Sequence, residues 1–182
     1  MTRWKPYCWC IAVGVALAAG LVLGGLGVWP HTSVHAMATD RVDSFAIATG
    51  ALDNEVEAVY FLDFLTGELR AMVLGKQGKW NGLFTANAAN DLKVDVQKNP
   101  KFMLVTGIAT LRRAGGSQLQ PSAATCYVAE LTTGKVAAYV CPWAPSNYKS
   151  YQAQSGTLAC VDVARFRPGP GGEDMVPAGH SR

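Results

Sequence analysis

Histidine is scarce in this sequence of 182 residues, and its three copies lie near the ends of the chain, at His31, His35 and His180. The central part, which carries the signals of a folded domain, therefore contains none. Ser-His-Asp and Cys-His nucleophilic sites and the commonest zinc sites depend on histidine, so these classes of site are excluded from the domain. We expect no metal site and no catalytic residue of these classes.

Other short motifs that carry chemistry are missing as well. The sequence contains no phosphate-binding glycine loop, no Cys-x-x-Cys pair, no nucleophile elbow and no EF-hand loop. Charged residues make up only 16% of the chain and give a net charge of +3, too small a surplus to indicate binding of nucleic acid. These absences lead us to expect no cofactor and no nucleic-acid partner, and they argue against an enzyme.

The longest apolar run covers residues 7–29 and follows two basic residues, Arg3 and Lys5. A helix of this length reaches about 34 Å at about 1.5 Å per residue, which is enough to cross a hydrocarbon layer of about 30 Å. We therefore predict a transmembrane helix over 7–29, in contact with the lipid bilayer. Basic residues before the span place residues 1–6 in the cytoplasm and the rest of the chain outside it, in the periplasm or the extracellular space.

A cleaved signal peptide is the alternative for the same region, because Ala36–Ala38 has the small-residue pattern that a signal peptidase accepts. Cleavage after Ala38 would give a secreted protein, whereas the length of the apolar run favours a retained, single-pass membrane anchor. Within the span Ala16, Gly20 and Gly24 recur every four residues. They share one helix face, on which two helices can approach closely and pair.

The sequence after the apolar run predicts a linker over residues 30–43 and a mainly β domain over residues 44–166. β-branched and aromatic residues concentrate in short segments with glycine, proline or asparagine near most boundaries, as in strands joined by turns. These segments are 45–49, 57–64, 69–74, 102–106, 125–131, 136–141 and 157–163. The Ala/Asn-rich stretch 85–92 is typical of a short helix, and the Pro/Gly-rich tail 167–182 is predicted to be disordered.

The domain contains an internal duplication, with repeat 1 over about 45–100 and repeat 2 over about 102–163. The matching segments are FAIATG at 45–50 with FMLVTG at 102–107, and VYFLDFLTGELRA at 59–71 with CYVAELTTGKVAA at 126–138. The first pair is offset by 57 residues and the second by 67, so repeat 2 carries an insertion of ten residues around 112–116. The predicted fold is a compact antiparallel sheet or barrel built from two repeated β units.

Each repeat turns at a Thr-Gly pair, Thr66-Gly67 in the first and Thr133-Gly134 in the second. β-branched threonine resists positive φ, so we expect a type I turn followed by a left-handed glycine instead of a two-residue type I′ turn. With the G1 bulge of such a turn, Tyr60 pairs with Met72 and Tyr127 pairs with Tyr139.

Two carboxylates occupy equivalent positions three residues before these Thr-Gly pairs, Asp63 in repeat 1 and Glu130 in repeat 2. Catalytic pairs are seldom duplicated together with their scaffold. Hydrogen bonding to the amides of the turn explains a repeated acidic residue better than acid/base chemistry does.

Three cysteines, Cys126, Cys141 and Cys160, lie in the exported domain, so at most one intramolecular disulfide can form. With the expected turn, Cys126 and Cys141 point to opposite sides of the sheet, which favours a bond that involves Cys160. A two-residue turn would instead favour a Cys126–Cys141 bond. Buried free thiols are the alternative, and the sequence favours neither free thiols nor a disulfide.

Trp80 and Trp143 follow the ends of the corresponding hairpins. One interpretation makes them an exposed contact surface surrounded by Lys76, Lys79 and Lys149. The other makes them a cover for the core, which the ordinary burial of aromatic side chains favours.

The pattern Tyr-x-x-Asp/Glu-x-x-Thr-Gly-x-Leu/Val, at 60–69 and 127–136, resembles the inner hairpin of β-propeller blades. It is most similar to the quinoprotein-type blade, although the tryptophan that usually follows the glycine is missing here, and the resemblance implies no quinone cofactor. Two copies alone cannot close a propeller, which has four to eight blades. A membrane segment followed by a duplicated domain also resembles uncharacterised bacterial envelope proteins, a resemblance that implies no activity.

These features favour a membrane-anchored envelope protein whose exported β domain is a non-enzymatic scaffold or protein-interaction module. The expected partner is another protein or a second copy of this chain, bound through exposed strand edges or through paired membrane helices. The alternative is a domain that binds or senses a small molecule, with a pocket between the two repeats.

Overall fold

The computed structural model describes residues 43–111 and 119–167, the backbone of 39–41, and Val15. The chain divides into two units, Met1–His35 and Ala36–Arg182, and the β domain belongs to the second. The predicted membrane span apart from Val15, its pairing face, the cleavage motif and the tail after Arg167 lie outside the described residues. Within the part of the chain that is described, no helix is long and apolar enough to span a membrane.

The described domain is mainly β. Its strands are β1 (Thr39–Arg41), β2 (Phe45–Ala51), β3 (Glu57–Asp63), β4 (Glu68–Leu74), β5 (Trp80–Asn87), β6 (Phe102–Ile108), β7 (Gln120–Pro121), β8 (Ala124–Glu130), β9 (Lys135–Val140), β10 (Pro142–Trp143), β11 (Gln154–Thr157) and β12 (Ala159–Arg165). Two short helices, α1 (Ala88–Leu92) and α2 (Pro145–Lys149), and a 3-10 turn at Val96–Lys98 connect them.

The strands form open sheets. The larger sheet has the order β1-β2-β3-β4-β5-β11, in which the β5–β11 pair alone is parallel, and the second sheet has the antiparallel order β12-β9-β8-β6. β7 and β10 make a separate two-stranded ribbon. No sheet closes on itself among the described strands, so the barrel alternative is wrong, whereas the prediction of a mainly β, antiparallel domain is confirmed.

β5 is a strand that the sequence pattern does not indicate, and it shortens the predicted helix over 85–92. Thr85, Ala86 and Asn87 pair with β4, so the helix begins only at Ala88. The side chain of Asn87 caps this helix by accepting a hydrogen bond from the backbone N–H of Asn90 at 2.9 Å.

The strand pairing is duplicated in the same way as the sequence. Each repeat is a run of four antiparallel strands, β2-β3-β4-β5 in the first and β6-β8-β9-β12 in the second. The pairing partners of the equivalent tyrosines are Ala48 and Ala71 for Tyr60, and Val105 and Ala138 for Tyr127. These partners are themselves equivalent by the same offsets of 57 and 67 residues, so the register of the first three strands is conserved between the repeats.

The register expected for both hairpins is wrong by one residue, because Tyr60 lies opposite Ala71 instead of Met72, and Tyr127 lies opposite Ala138 instead of Tyr139. The loop contains four residues between the paired ends, and the N–H of its glycine donates to the carbonyl four residues earlier, at 2.8 Å and 3.0 Å in the two repeats. Both glycines have the expected positive φ, +70° and +67°.

One hydrophobic core lies between the two main sheets, and it buries different positions of the two repeats. From repeat 1 it takes the front face, which we define as Ala46, Ala48, Tyr60, Leu62, Leu69 and Ala71. From repeat 2 it takes the back face, Phe102, Leu104, Cys126, Val128, Ala137 and Tyr139. By the sequence match, the back face of repeat 1 is Phe45, Ile47, Val59, Phe61, Arg70 and Met72, and the front face of repeat 2 is Met103, Val105, Tyr127, Ala129, Val136 and Ala138.

The two repeats are hydrogen-bonded to each other at equivalent points of their first strands. The hydroxyl of Thr106 on β6 donates a hydrogen bond to the carbonyl oxygen of Thr49 on β2, its equivalent 57 residues earlier. A Cβ on the neighbouring Gly50 would lie 3.0 Å from the Cβ of Ala124 and 3.2 Å from the methyl group of Thr106. Glycine therefore permits the close approach of the front face of repeat 1 to the back face of repeat 2.

The two turn glycines provide a matched test of this packing. Both variants combine the strain of positive φ with a clash. In Gly67→Ala the new Cβ clashes with the buried Ala89 of helix α1, whereas in Gly134→Ala it clashes with the exposed Arg167, which has solvent to move into. We expect a loss of about 2–4 kcal/mol of unfolding free energy for the first variant and about 1–2 kcal/mol for the second. Urea denaturation measures both, and equal losses would contradict this difference.

Candidate functional site

Glu130 is a buried carboxylate at the start of the second turn. Its oxygens accept hydrogen bonds from the N–H of Thr132 at 2.9 Å, from the N–H and the hydroxyl of Thr133 at 2.7 Å each, and from the N–H of Lys101 at 3.2 Å. Burial alone would raise the pKa of Glu130, but the hydrogen bonds from Thr133 and Thr132 outweigh it and lower the pKa to about 2. The carboxylate therefore stays ionised and holds the turn.

Asp63 occupies the same position in the first turn and is only half-buried. Its carboxylate accepts a hydrogen bond from the N–H of Leu65 at 2.8 Å, and the hydroxyl of Thr66 accepts one from the N–H of Glu68 at 3.2 Å. The equivalent acids thus bond to turn amides in both repeats, in the way expected from the sequence. Asp63 and Glu68 line one depression in the first repeat, but Glu68 is paired with Arg70 at 2.8 Å.

The cysteines of the domain are free thiols, with Cys126 and Cys141 buried and Cys160 exposed. Tyr139 on β9 lies opposite Cys126 on β8 and opposite Cys160 on β12, so its strand separates these two thiols. Neither disulfide alternative forms. Burial raises the pKa of both Cys126 and Cys141, which keeps them protonated and unreactive.

A small polar cluster joins helix α1 to the second sheet. The hydroxyl of Tyr139 donates to the carboxylate of Asp91 at 2.8 Å, and Cys160 lies on the neighbouring strand. Burial and then Asp91 raise the pKa of Tyr139, and the same two causes raise the pKa of Cys160. Raised pKa values hold the proton on both groups, so neither is an activated nucleophile and the cluster is a structural link. Sequence reasoning missed it because no motif spacing connects the three positions.

The two tryptophans lie in different environments. Trp143 is buried in the core, where its indole N–H donates to Asp53 at 2.7 Å and its ring packs against Tyr148 at 5.5 Å between centroids. Trp143 therefore covers the core and takes no part in an exposed contact surface. Trp80 is 56% exposed and lines a depression whose other walls are Gly75, Lys76, Gln77, Lys79, Asn81 and Tyr151.

One open pocket of about 370 Å³ lies where equivalent loops of the two repeats meet. It is lined by 52–54 after β2, by 108–111 at the end of β6, and by 120–123. Asp53 is the one ionisable side chain among these described lining residues. Its carboxylate already accepts hydrogen bonds from Trp143 and from the N–H groups of Glu55 and Val56, so it is committed to the structure.

Two apolar sheet faces remain open on the described domain. On the front face of repeat 2, Met103 and Val105 are 47% and 49% exposed, although the equivalent Ala46 and Ala48 in repeat 1 are buried. The other members of that face, Tyr127, Ala129, Val136 and Ala138, are half-buried. The back face of repeat 1 is similar but carries one charge, with Phe45 and Arg70 exposed and Ile47, Val59, Phe61 and Met72 half-buried.

Among the described residues, no three His, Cys, Asp or Glu side chains lie close enough together to bind a metal ion. Comparisons with protein-family models, with curated proteins and with solved structures find no significant match. The open faces, the pocket and the polar cluster are therefore the features on which a function must be argued.

The ionisation of Glu130 predicts a specific pH dependence. Because its pKa is lower in the folded chain than the unfolded value of about 4.3, its contribution to stability is present above that pH and is lost as the pH falls to about 2. Glu130→Gln should lower the unfolding free energy at neutral pH by about 2 kcal/mol, and this difference from wild type should vanish near pH 2. Denaturation at several pH values measures it, with Asp63→Asn as the matched control. A constant difference across this pH range would contradict the assignment.

The cysteine arrangement predicts selective labelling. A maleimide should modify Cys160 in the folded full-length chain, so Cys160→Ala should remove one adduct from the intact mass. Cys126→Ala and Cys141→Ala should leave the native adduct count unchanged, because both thiols are buried. Unfolding without reductant should expose all five cysteines of the chain to the reagent. Protection of a pair of thiols after unfolding would show a disulfide instead.

Proposed function

We propose that this chain is an envelope protein whose β domain is a non-enzymatic scaffold or protein-interaction module. In this proposal the segment 7–29 anchors the chain in the membrane and the domain lies outside the cytoplasm. The support for the anchor is the long apolar run after Arg3 and Lys5. The support for an interaction role comes from the faces of the two sheets.

The observation that carries the proposal is that both open faces are mainly apolar, with Arg70 the one charged residue among their twelve defining positions. Antiparallel sheets that meet water on one side normally alternate apolar and polar residues, with the polar residues outward. On β6 the sequence is Phe-Met-Leu-Val, so the inward and outward residues are equally apolar. A contiguous exposed apolar patch is typical of a site for another macromolecule.

An enzymatic role has less support, because the candidate groups are already engaged. Glu130 bonds to the second turn, Asp53 bonds to Trp143, and Tyr139 bonds to Asp91. A catalytic acid or base needs a free hydrogen-bonding position that faces a substrate. None of these three side chains combines such a position with a cavity.

Binding of a small molecule is the second candidate, and the pocket between equivalent loops of the repeats favours it. The pocket has the volume of a small ligand site, but its single carboxylate is committed to the structure. A ligand library screened by thermal shift tests this candidate. A ligand that raises the midpoint in wild type, and not in a variant with Thr110→Trp in the pocket wall, would favour binding over scaffolding.

Site-specific photo-crosslinking tests the interaction role. A photoreactive phenylalanine analogue placed at Val105 or at Phe61, in cells that naturally express the chain, should form covalent adducts with protein. The same analogue at Leu65, an exposed apolar residue at the tip of the first turn, is the matched control and should give none. Absence of a protein adduct from both open faces would contradict the proposed function, whatever the identity of the partner.

A further inference from the structure

We propose that a second copy of this chain covers the open faces, with the front face of repeat 2 in one copy packed on the back face of repeat 1 in the next. This inference rests on the proposed interaction role and names the partner. The interface inside each chain is its template, because it already joins a front face of one repeat to a back face of the other.

The internal interface buries one face of each repeat, so equivalent positions of the two repeats have opposite environments. Ala46 and Ala48 are buried at the interface, while their equivalents Met103 and Val105 are exposed. Phe102 is buried there, while its equivalent Phe45 is 44% exposed. Each repeat has one face inside and the other outside. Among the described residues, one front face and one back face are therefore left uncovered.

The unused faces have the chemistry of the faces that are already packed. The front faces share a tyrosine and an alanine at equivalent positions, Tyr60 with Tyr127 and Ala71 with Ala138, and their other members are apolar. The back faces are apolar at five of their six positions, with Phe, Ile, Val, Phe and Met in repeat 1 and Phe, Leu, Cys, Val and Tyr in repeat 2, and the sixth position is Arg70 in repeat 1 and Ala137 in repeat 2. A front face that fits one back face is therefore expected to fit the other.

The back face of repeat 1 also carries charged side chains. Arg70 lies opposite Phe61 within the face and is paired with Glu68 on the same strand at 2.8 Å, and Glu57 lies on the same face at the far end of β3. Ile47, Val59 and Met72 carry no charge, so they are available to pack against the next copy.

A contact between two different faces is heterologous, and such contacts build rings when the rotation closes. Each repeat is a four-stranded antiparallel unit, the size of one propeller blade, and propellers close with about four to eight blades. Two units per chain therefore fit rings of two, three or four copies. The contact also covers both open faces in every copy of a ring.

Two single variants of the full-length chain in a mild detergent test the arrangement. Val105→Asp places a charge on the front face of repeat 2 and leaves the back face of repeat 1 intact. Phe61→Asp places a charge on the back face of repeat 1 and leaves the front face of repeat 2 intact. Both side chains point away from the core, so each variant should keep the β-sheet circular dichroism spectrum. Leu65→Asp, which lies on a turn, is the matched control and should assemble like wild type.

We expect each variant alone to be monomeric in native mass spectrometry, and an equimolar mixture of the two to form a one-to-one dimer. The mixture has one intact interface, the front face of the Phe61→Asp copy on the back face of the Val105→Asp copy. A two-fold contact through a single face would lose assembly in one variant only, and that result would overturn the proposal. Assembly that survives in both variants, as expected if the membrane helices pair instead, would also overturn it.

The result also separates this inference from the proposed function. If photo-crosslinks from Val105 and Phe61 join the chain to a different protein and never to itself, self-assembly is wrong and the interaction role stands. If neither position yields a protein adduct, both are wrong.

Discussion

The close approach of β2 and β6 is the contact on which the remaining structure depends, because it determines which face of each repeat enters the core. Thr106 bonds to the backbone of Thr49, and a side chain at Gly50 would crowd Ala124 and Thr106. The equivalent strands β2 and β6 meet here, and β2 turns its front face to the core whereas β6 turns its back face. The repeats are therefore related as successive members of a stack and not as the halves of a two-fold pair, so the stack has two open ends.

The difference between the two turn acids follows from this arrangement. Asp63 and Glu130 are equivalent residues on the back faces of their repeats, but the back face of repeat 2 is inside and that of repeat 1 is outside. Glu130 is accordingly buried with four hydrogen bonds to its carboxylate, whereas Asp63 is half-buried and bonds to the N–H of Leu65. One turn is held by a deeply placed carboxylate and the other by an accessible one.

Much of the fold can be predicted from the sequence, since the duplication, most strands and the left-handed glycines all have local signals. The hairpin register is missed by one residue because the acids before the Thr-Gly pairs bond to turn amides and extend the loop. The sequence does not predict which face of each repeat is buried in the core. Strands such as Phe102–Ile108 are apolar on both sides, so they lack the alternation of apolar and polar residues that would distinguish the two faces. Trp80 and Trp143 illustrate the same limit: both suit a core or a surface, and tertiary packing buries only Trp143.

The mass of the assembled wild-type chain tests the central claim, that each copy exposes one front face and one back face to its neighbours. Native mass spectrometry of the full-length chain at micromolar concentration should show one closed species of two, three or four copies. Closure predicts that this species does not grow as the concentration rises, because a ring has no free face. A chain that stays monomeric over the same concentration range, with both apolar faces open to solvent, would contradict the account.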